Sequence, residues 1–208
     1  MVSAKAIVEL QDERTRAWHE AREADGGTAP TDANAAWMAL VARQHGANFD
    51  LWHIEDEARA PGATCEVLAG VKRRIDTTNQ RRNDLAEELD RMLLAWLAAR
   101  GLPNAEAPLN SESPGLMIDR LSILALKMYH TRDEAERRDA PEGHAVRNRE
   151  RLAVLTEQRA DLAMCLDALW EETLKGTRRF KLYRQLKMYN DPLLNPAIYR
   201  KSTEVTSS

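Results

Sequence analysis

Arg59, Arg82 and Arg159 fall at helical positions where the surrounding pattern calls for apolar side chains. A guanidinium cannot escape burial by losing its proton, so each needs an acceptor, and an unpaired buried charge costs several kcal/mol. Glu55 is the obvious internal acid, with Asp56 on the edge of the same stripe. Three arginines against one or two internal acids leave a cationic surplus. Such a surplus suits a carboxylated or phosphorylated small molecule, which arginine grips with two parallel hydrogen bonds. On this reading Arg59, Arg82 and Arg159 hold the anion and Asn48 and Asn79 orient it. Asp119 and Lys127, on a narrow polar strip with Arg120 and His130, complete the pocket, and Glu55 or His130 moves protons. The competing reading is an ion-pair network that fixes helix register and holds no ligand, as in an accessory protein assisting a partner enzyme.

A third reading is a metal-dependent hydrolase or oxygenase, with His53, Glu55, Asp56, Asp119 and His130 as ligands. A ferritin-like centre wants Glu-x-x-His on two helices, whereas one Asp50-x-x-His53 is present and HExxH does not occur. His53 also lies about 100° around its helix from the main buried stripe, so a metal is not favoured. Asp119 and His130 stand three turns apart on one continuous helix and form no dyad with each other. The nucleophile elbow, the phosphate loop and the dinucleotide glycine pattern are all missing, so the sequence writes no nucleotide-cofactor motif and the cofactor stays unassigned. Cys65 and Cys165 belong to no CxxC pair and are expected to pack as small hydrophobes.

Helices must position these groups, because β-branched alternation is almost absent. Ile7, Leu10, Ala17, Trp18 and Ala21 predict a first amphipathic helix over 3–24, broken by DGGTAPTD. A second helix is expected over 33–59, stopped by Pro61-Gly62, and a third over 64–100, ended by Gly101 and Pro103. Ser113-Pro114 reads as an N-cap with proline in the first turn of a fourth helix, LMIDRLSILALKMYH, over 116–130. That segment is apolar around most of its circumference, which marks a central element. Residues 131–147 read as a charged extension and loop, 148–175 as a fifth helix, and 178–199 as a short helix followed by a proline-broken tail. In 176–201 seven Lys or Arg stand against one acid, with Phe180, Tyr183, Tyr189 and Tyr199 interleaved. The aromatics are expected to pin this segment to the bundle, with Lys181, Arg184 and Lys187 free to close one side of an anion pocket.

The expected architecture is therefore all-α: a four- to five-helix bundle with a basic-aromatic C-terminal segment, one domain over 1–208 with a disordered tail at 200–208. At 43% hydrophobic and 30% charged residues the chain can build a core. A net charge of -3 argues against general nucleic-acid binding. No window reaches the length of a membrane span, and neither an export signal nor a disulfide framework is written, so the cytoplasm is expected. A homo-oligomer is compatible with all of this.

The chain resembles the bacterial domain-of-unknown-function family numbered 4254, from about Trp37 to Tyr199. Carrying the resemblance are Trp52-His53-Ile54-Glu55-Asp56 with Arg59, Lys72-Arg73-Arg74-Ile75-Asp76, Asn79-Gln80 and Asp84. Further blocks are Glu112-Ser113-Pro114, Ile118 through Leu124, Lys127, Tyr129-His130, Gln158 through Leu162, and Lys187 through Asp191. Thr131 departs from the family pattern, where methionine commonly follows Tyr-His. The resemblance implies no settled activity; it implies a setting in bacterial glycan or specialised metabolism.

Overall fold

The computed structural model describes residues 2–21, 33–186 and 193–196. Five helices run in the order α1 (Ala4–Ala21), α2 (Ala33–Glu57), α3 (Cys65–Ala98), α4 (Pro114–Glu136) and α5 (His144–Leu174). Among the described residues the sole bridge of extended chain pairs Leu109 with Arg179, so the fold is all-α.

Local chemistry sets the ends. Thr64 caps α3 by accepting from the Val67 amide at 3.3 Å. Gly101 and Gly176, both at positive φ, turn the chain out of α3 and α5. Pro114 opens α4 as expected, but the Ser113 hydroxyl makes no cap bond. It donates instead to Asp90 of α3, whose other carboxylate oxygen accepts from the Gly115 amide at 2.7 Å. A carboxylate from a neighbouring helix thus satisfies one orphan donor of the α4 N-terminus. Close approach makes this possible: a Cβ on Gly115 would stand 2.2 Å from the Ala86 carbonyl oxygen.

α4 packs most extensively on α5 and also contacts α1, α2 and α3, which makes it the central element its sequence predicts. Leu85, Leu89, Leu93 and Leu97 of α3 meet Met117, Ile118 and Leu121 of α4, Leu162, Leu166 and Leu169 of α5, and Trp37 of α2 in one core.

Several expected boundaries and faces are corrected. α2 ends at Glu57, ahead of the proline, so Arg59 lies beyond the helix. α4 continues to Glu136, because Thr131 and Ala135 are buried and extend its packed face into the expected charged extension. α5 begins at His144. α1 buries Ala4, Ile7, Gln11 and Thr15, while Ala17 is exposed. The buried stripe of α1 is half polar, so an apolar count rotates it wrongly. Both cysteines are exposed, contrary to the packing expected of them.

After α5 none of the described residues 178–186 is helical, where the sequence led to the expectation of a short helix from 178. Phe180 is buried at 1% exposure, and Arg179 is tied by its amide to Pro108 O (3.0 Å) and by Nε to Ala107 O (2.8 Å). The pinning expectation is met by Phe180; Tyr183, Lys181 and Arg184 are exposed. Lys187, Tyr189, Tyr199 and the expected tail at 200–208 lie outside the described residues.

Candidate functional site

Three polar assemblies bear on function, and the first is buried where α1, α2, α3 and α4 meet. Asp119 of α4, 8% exposed by side chain, is its anion. Its Oδ1 accepts from Gln44 Nε2 (2.6 Å) and Asn48 Nδ2 (2.9 Å), and its Oδ2 accepts from Arg82 Nη2 (3.0 Å). One ionised group is thereby matched by one guanidinium and two amides, the condition under which a buried charge is tolerated.

The network continues in a defined direction. Asn48 Nδ2 also donates to Ser122 Oγ at 2.9 Å, and Ser122 Oγ lies 2.7 Å from His45 Nδ1. His45 Nε2 lies 2.9 Å from Thr15 Oγ1, which itself donates to the Gln11 carbonyl at 2.8 Å. Since the Thr15 proton is committed, His45 carries its proton on Nε2 and accepts from Ser122 at Nδ1. Burial then holds the His45 pKa down at about 4, so the ring is neutral. Ser122 and His45 have the spacing of a nucleophile and its base, yet both are fully buried, and no substrate carbonyl can reach the hydroxyl.

The expected convergence of three arginines does not occur. Arg82 stands in the network and is neutralised by Asp119. Arg159 is largely buried but belongs to the α1–α5 interface, where Asp12 takes its charge at 2.6 Å. Arg59 is exposed and pairs with Glu55 at 3.0 Å on the surface, removing both from the interior. Each guanidinium has its own carboxylate, so the cationic surplus predicted for the bundle interior vanishes. Asn48 and Asp119 do meet Arg82; Asn79 is half-buried one turn before Arg82 on α3.

The second assembly joins His53 and His130, and with them His19 of α1, which the sequence reading did not single out. His130 stacks on Trp52 with ring centroids 4.6 Å apart, and His19 stacks on Tyr129 at 4.1 Å. Burial first, and then the proximity of His19 and His53, pushes the His130 pKa below its ordinary value. Asp56 is exposed near this group, whereas Glu55 and Asp119 are elsewhere, so the five side chains considered as metal ligands are not brought together. Among the described residues no group of three or more His, Cys, Asp or Glu is placed to hold a metal ion.

The third assembly is a cleft of about 630 Å³ between α4 and α5. Met117, Ile123, Leu124 and Leu162 give it an apolar floor, and Arg120, Lys127, Gln158 and Asp161 a polar rim. Arg120 is held by Glu112, both oxygens within 3.0 Å of its Nη1. Lys127 and Asp161 are exposed and form no ion pair with a described residue. Cys165 also lines the cleft, with its thiol free.

No described helix is long and apolar enough to cross a membrane. A family model described as "Protein of unknown function (DUF4254)" matches residues 38–182. That span runs from α2 to the pinned segment after α5 and leaves α1 outside. No curated protein and no solved structure matches the chain.

Proposed function

The chain belongs to the DUF4254 family of proteins of unknown function; from its own geometry we propose that it binds a small carboxylated or phosphorylated molecule in the α4–α5 cleft. The observation that carries this reading is the pair of uncommitted charges on opposite walls: Lys127 from α4 and Asp161 from α5, over an apolar floor. Lys127 offers an ammonium to the anionic group, while Asp161 and Gln158 accept from hydroxyl or amino groups on the same molecule. Its volume falls in the range of small-molecule sites. The ligand class is a polar metabolite bearing both an acid and hydrogen-bond donors, such as a sugar acid, a sugar phosphate or an amino acid.

The reading is of binding and not turnover. Glu55 and His130, the two groups considered for proton transfer, do not line the cleft. Asp119, Asn48 and Arg82 are assigned to the scaffold, since their bonds are made to one another. Thermal-shift titration with inorganic phosphate, gluconate and glucose 6-phosphate tests the proposal. At least one should raise the melting midpoint of the wild type, and Lys127→Met, an exposed substitution, should fold normally and lose the shift. An undiminished shift in Lys127→Met, or no shift with any of the three, overturns it.

A further inference from the structure

α1 is fastened differently along its two halves. The first half reaches the core through Ala4 and Ile7, with Val8 and Leu10 packed beside them. Its Ala4 amide donates to Asp167 of α5 at 2.8 Å, and Asp12 takes the charge of Arg159. From Gln11 onward the buried residues of α1 are polar, Gln11 and Thr15. Ring contacts hold the second half. Trp18 lies against His45 and Phe49 with centroids 5.3 Å and 5.1 Å apart, and His19 stacks on Tyr129. A half-helix with no fully buried apolar side chain belongs to the low-stability end of a fold.

Many of those rings are imidazoles. His19, His45, His53 and His130, four of the five histidines in the chain, line the seam of α1 with α2 and α4. Ring centroids lie 5.2 Å apart for His19 and His53, 5.0 Å for His19 and His130, and 6.2 Å for His53 and His130. His19 and His53 donate from Nδ1 to the carbonyls of Thr15 (2.7 Å) and Phe49 (2.9 Å), so a second proton has to go on Nε2. Nε2 of His19 and of His130 is closed off from solvent and has no hydrogen-bond partner among the described residues. A second proton on His45 falls on Nδ1, where Ser122 already donates. Charge arriving on these rings therefore meets no acceptor, and it arrives about 5 Å from a neighbouring ring that gains the same charge.

The carboxylates along the seam are Glu20 on α1, Asp56 on α2 and Asp133 on α4. They favour protonation, but at His130 burial, followed by His19 and His53, outweighs Asp133 and Asp56 and lowers the pKa. Asp50 and Glu55 of α2 are committed to Arg81 and Arg59. α5 meets α1 with Arg159 and Asp167, which serve its first half. A folded pKa below 6.5 means that the stabilisation is complete above pH 6.5 and is lost as pH falls through the folded value.

We propose that the second half of α1, from Thr15 to Ala21, is an acid-released latch: protons taken up by His19, His53 and His130 lift it from α2 and α4 while the first half and the other helices stay in place. Its release uncovers Phe49, Tyr129 and His45, an aromatic surface closed at neutral pH. The latch is independent of the α4–α5 cleft, which none of these residues lines.

Hydrogen–deuterium exchange of the full chain at steps from pH 7.5 to 5, corrected for the intrinsic rate, tests the latch. Below pH 6.5 the protection of amides 15–21 should fall about tenfold per pH unit for each proton taken up, with the α3 and α5 core turns unchanged. The His19→Gln/His130→Gln double variant should lose at least about tenfold of that response. His144→Gln should keep it, since His144 is paired with Glu134 at 2.8 Å. Protection of 15–21 that does not change with pH, or that falls in every helix together, overturns the proposal, as does a full response in the folded double variant. Should the double variant fail to fold, imidazole nitrogen chemical shifts of the wild type decide. Protonation of His19, His53 and His130 over the pH interval of the opening supports the latch, and opening while those rings stay neutral overturns it.

Discussion

Asp90→Asn is expected to stabilise the protein at neutral pH and to leave it nearly unchanged in acid. Asp90 is 2% exposed, and burial raises its pKa from 3.8 to about 6, against the hydrogen bonds from Ser113 and Gly115 that favour the ionised form. A folded pKa above the unfolded one means the native state holds the proton more tightly. Its stabilising effect is therefore complete below pH 3.8 and is lost as pH rises through about 6. At about 1.4 kcal/mol per pH unit, that interval amounts to about 3 kcal/mol. Asparagine is shaped like the protonated acid: its oxygen can accept from the Gly115 amide and its amide can donate to Ser113. Urea unfolding at steps from pH 4 to 8 measures the difference. The stability of Asp90→Asn minus that of the wild type should climb from near zero to about +3 kcal/mol and level off above pH 6.5. A flat difference, or one that falls with pH, refutes the reasoning. It would mean that the two hydrogen bonds outweigh burial and keep the carboxylate ionised throughout.

His45 supplies the opposite slope. Its pKa is lowered to about 4, so its contribution is present above pH 6.5 and lost as pH falls toward 4. His45→Gln should remove about 3 kcal/mol of that acid sensitivity in the same urea series, whatever its effect at pH 8. Gly115→Ala drives a Cβ to 2.2 Å from the Ala86 carbonyl and against Asp90. It should lower stability by about 2–3 kcal/mol in thermal unfolding, and a neutral result would contradict the close α3–α4 contact. Asp119→Ala strands the Arg82 guanidinium and the Gln44 and Asn48 amides. It should cost about 3 kcal/mol and shift the melting midpoint of the unliganded protein, as a scaffold role requires.

Much of the fold was legible because it follows from local patterns. The apolar circumference of 116–130 announced the central helix, and Pro114 and Gly101 marked helix ends through backbone chemistry that needs no tertiary partner. The convergence of Asn48, Arg82 and Asp119 was half-legible: Asn48 and Arg82 stood on apolar arcs, which point to the core, whereas Asp119 read as part of a polar strip. Which acid meets which arginine was not, because Arg159 and Asp12 lie 147 residues apart and meet only when α1 packs on α5. Arg59 was misplaced for a local reason, the early end of α2 at Glu57. Gln11, Thr15 and His45 were missed because a buried polar face looks like a solvent face until its hydrogen bonds are known. His19 was missed in the same way. One helix carries no information about which histidines on two others it will face.

The central claim is that the interior charges hold the bundle together while the α4–α5 cleft receives the ligand. Crystals soaked with whichever of phosphate, gluconate or glucose 6-phosphate stabilises the protein test it directly. Ligand density against Lys127, with the Asp119–Arg82 pair intact, is the predicted result. Ligand density displacing Asp119 from Arg82, with the cleft empty, contradicts it.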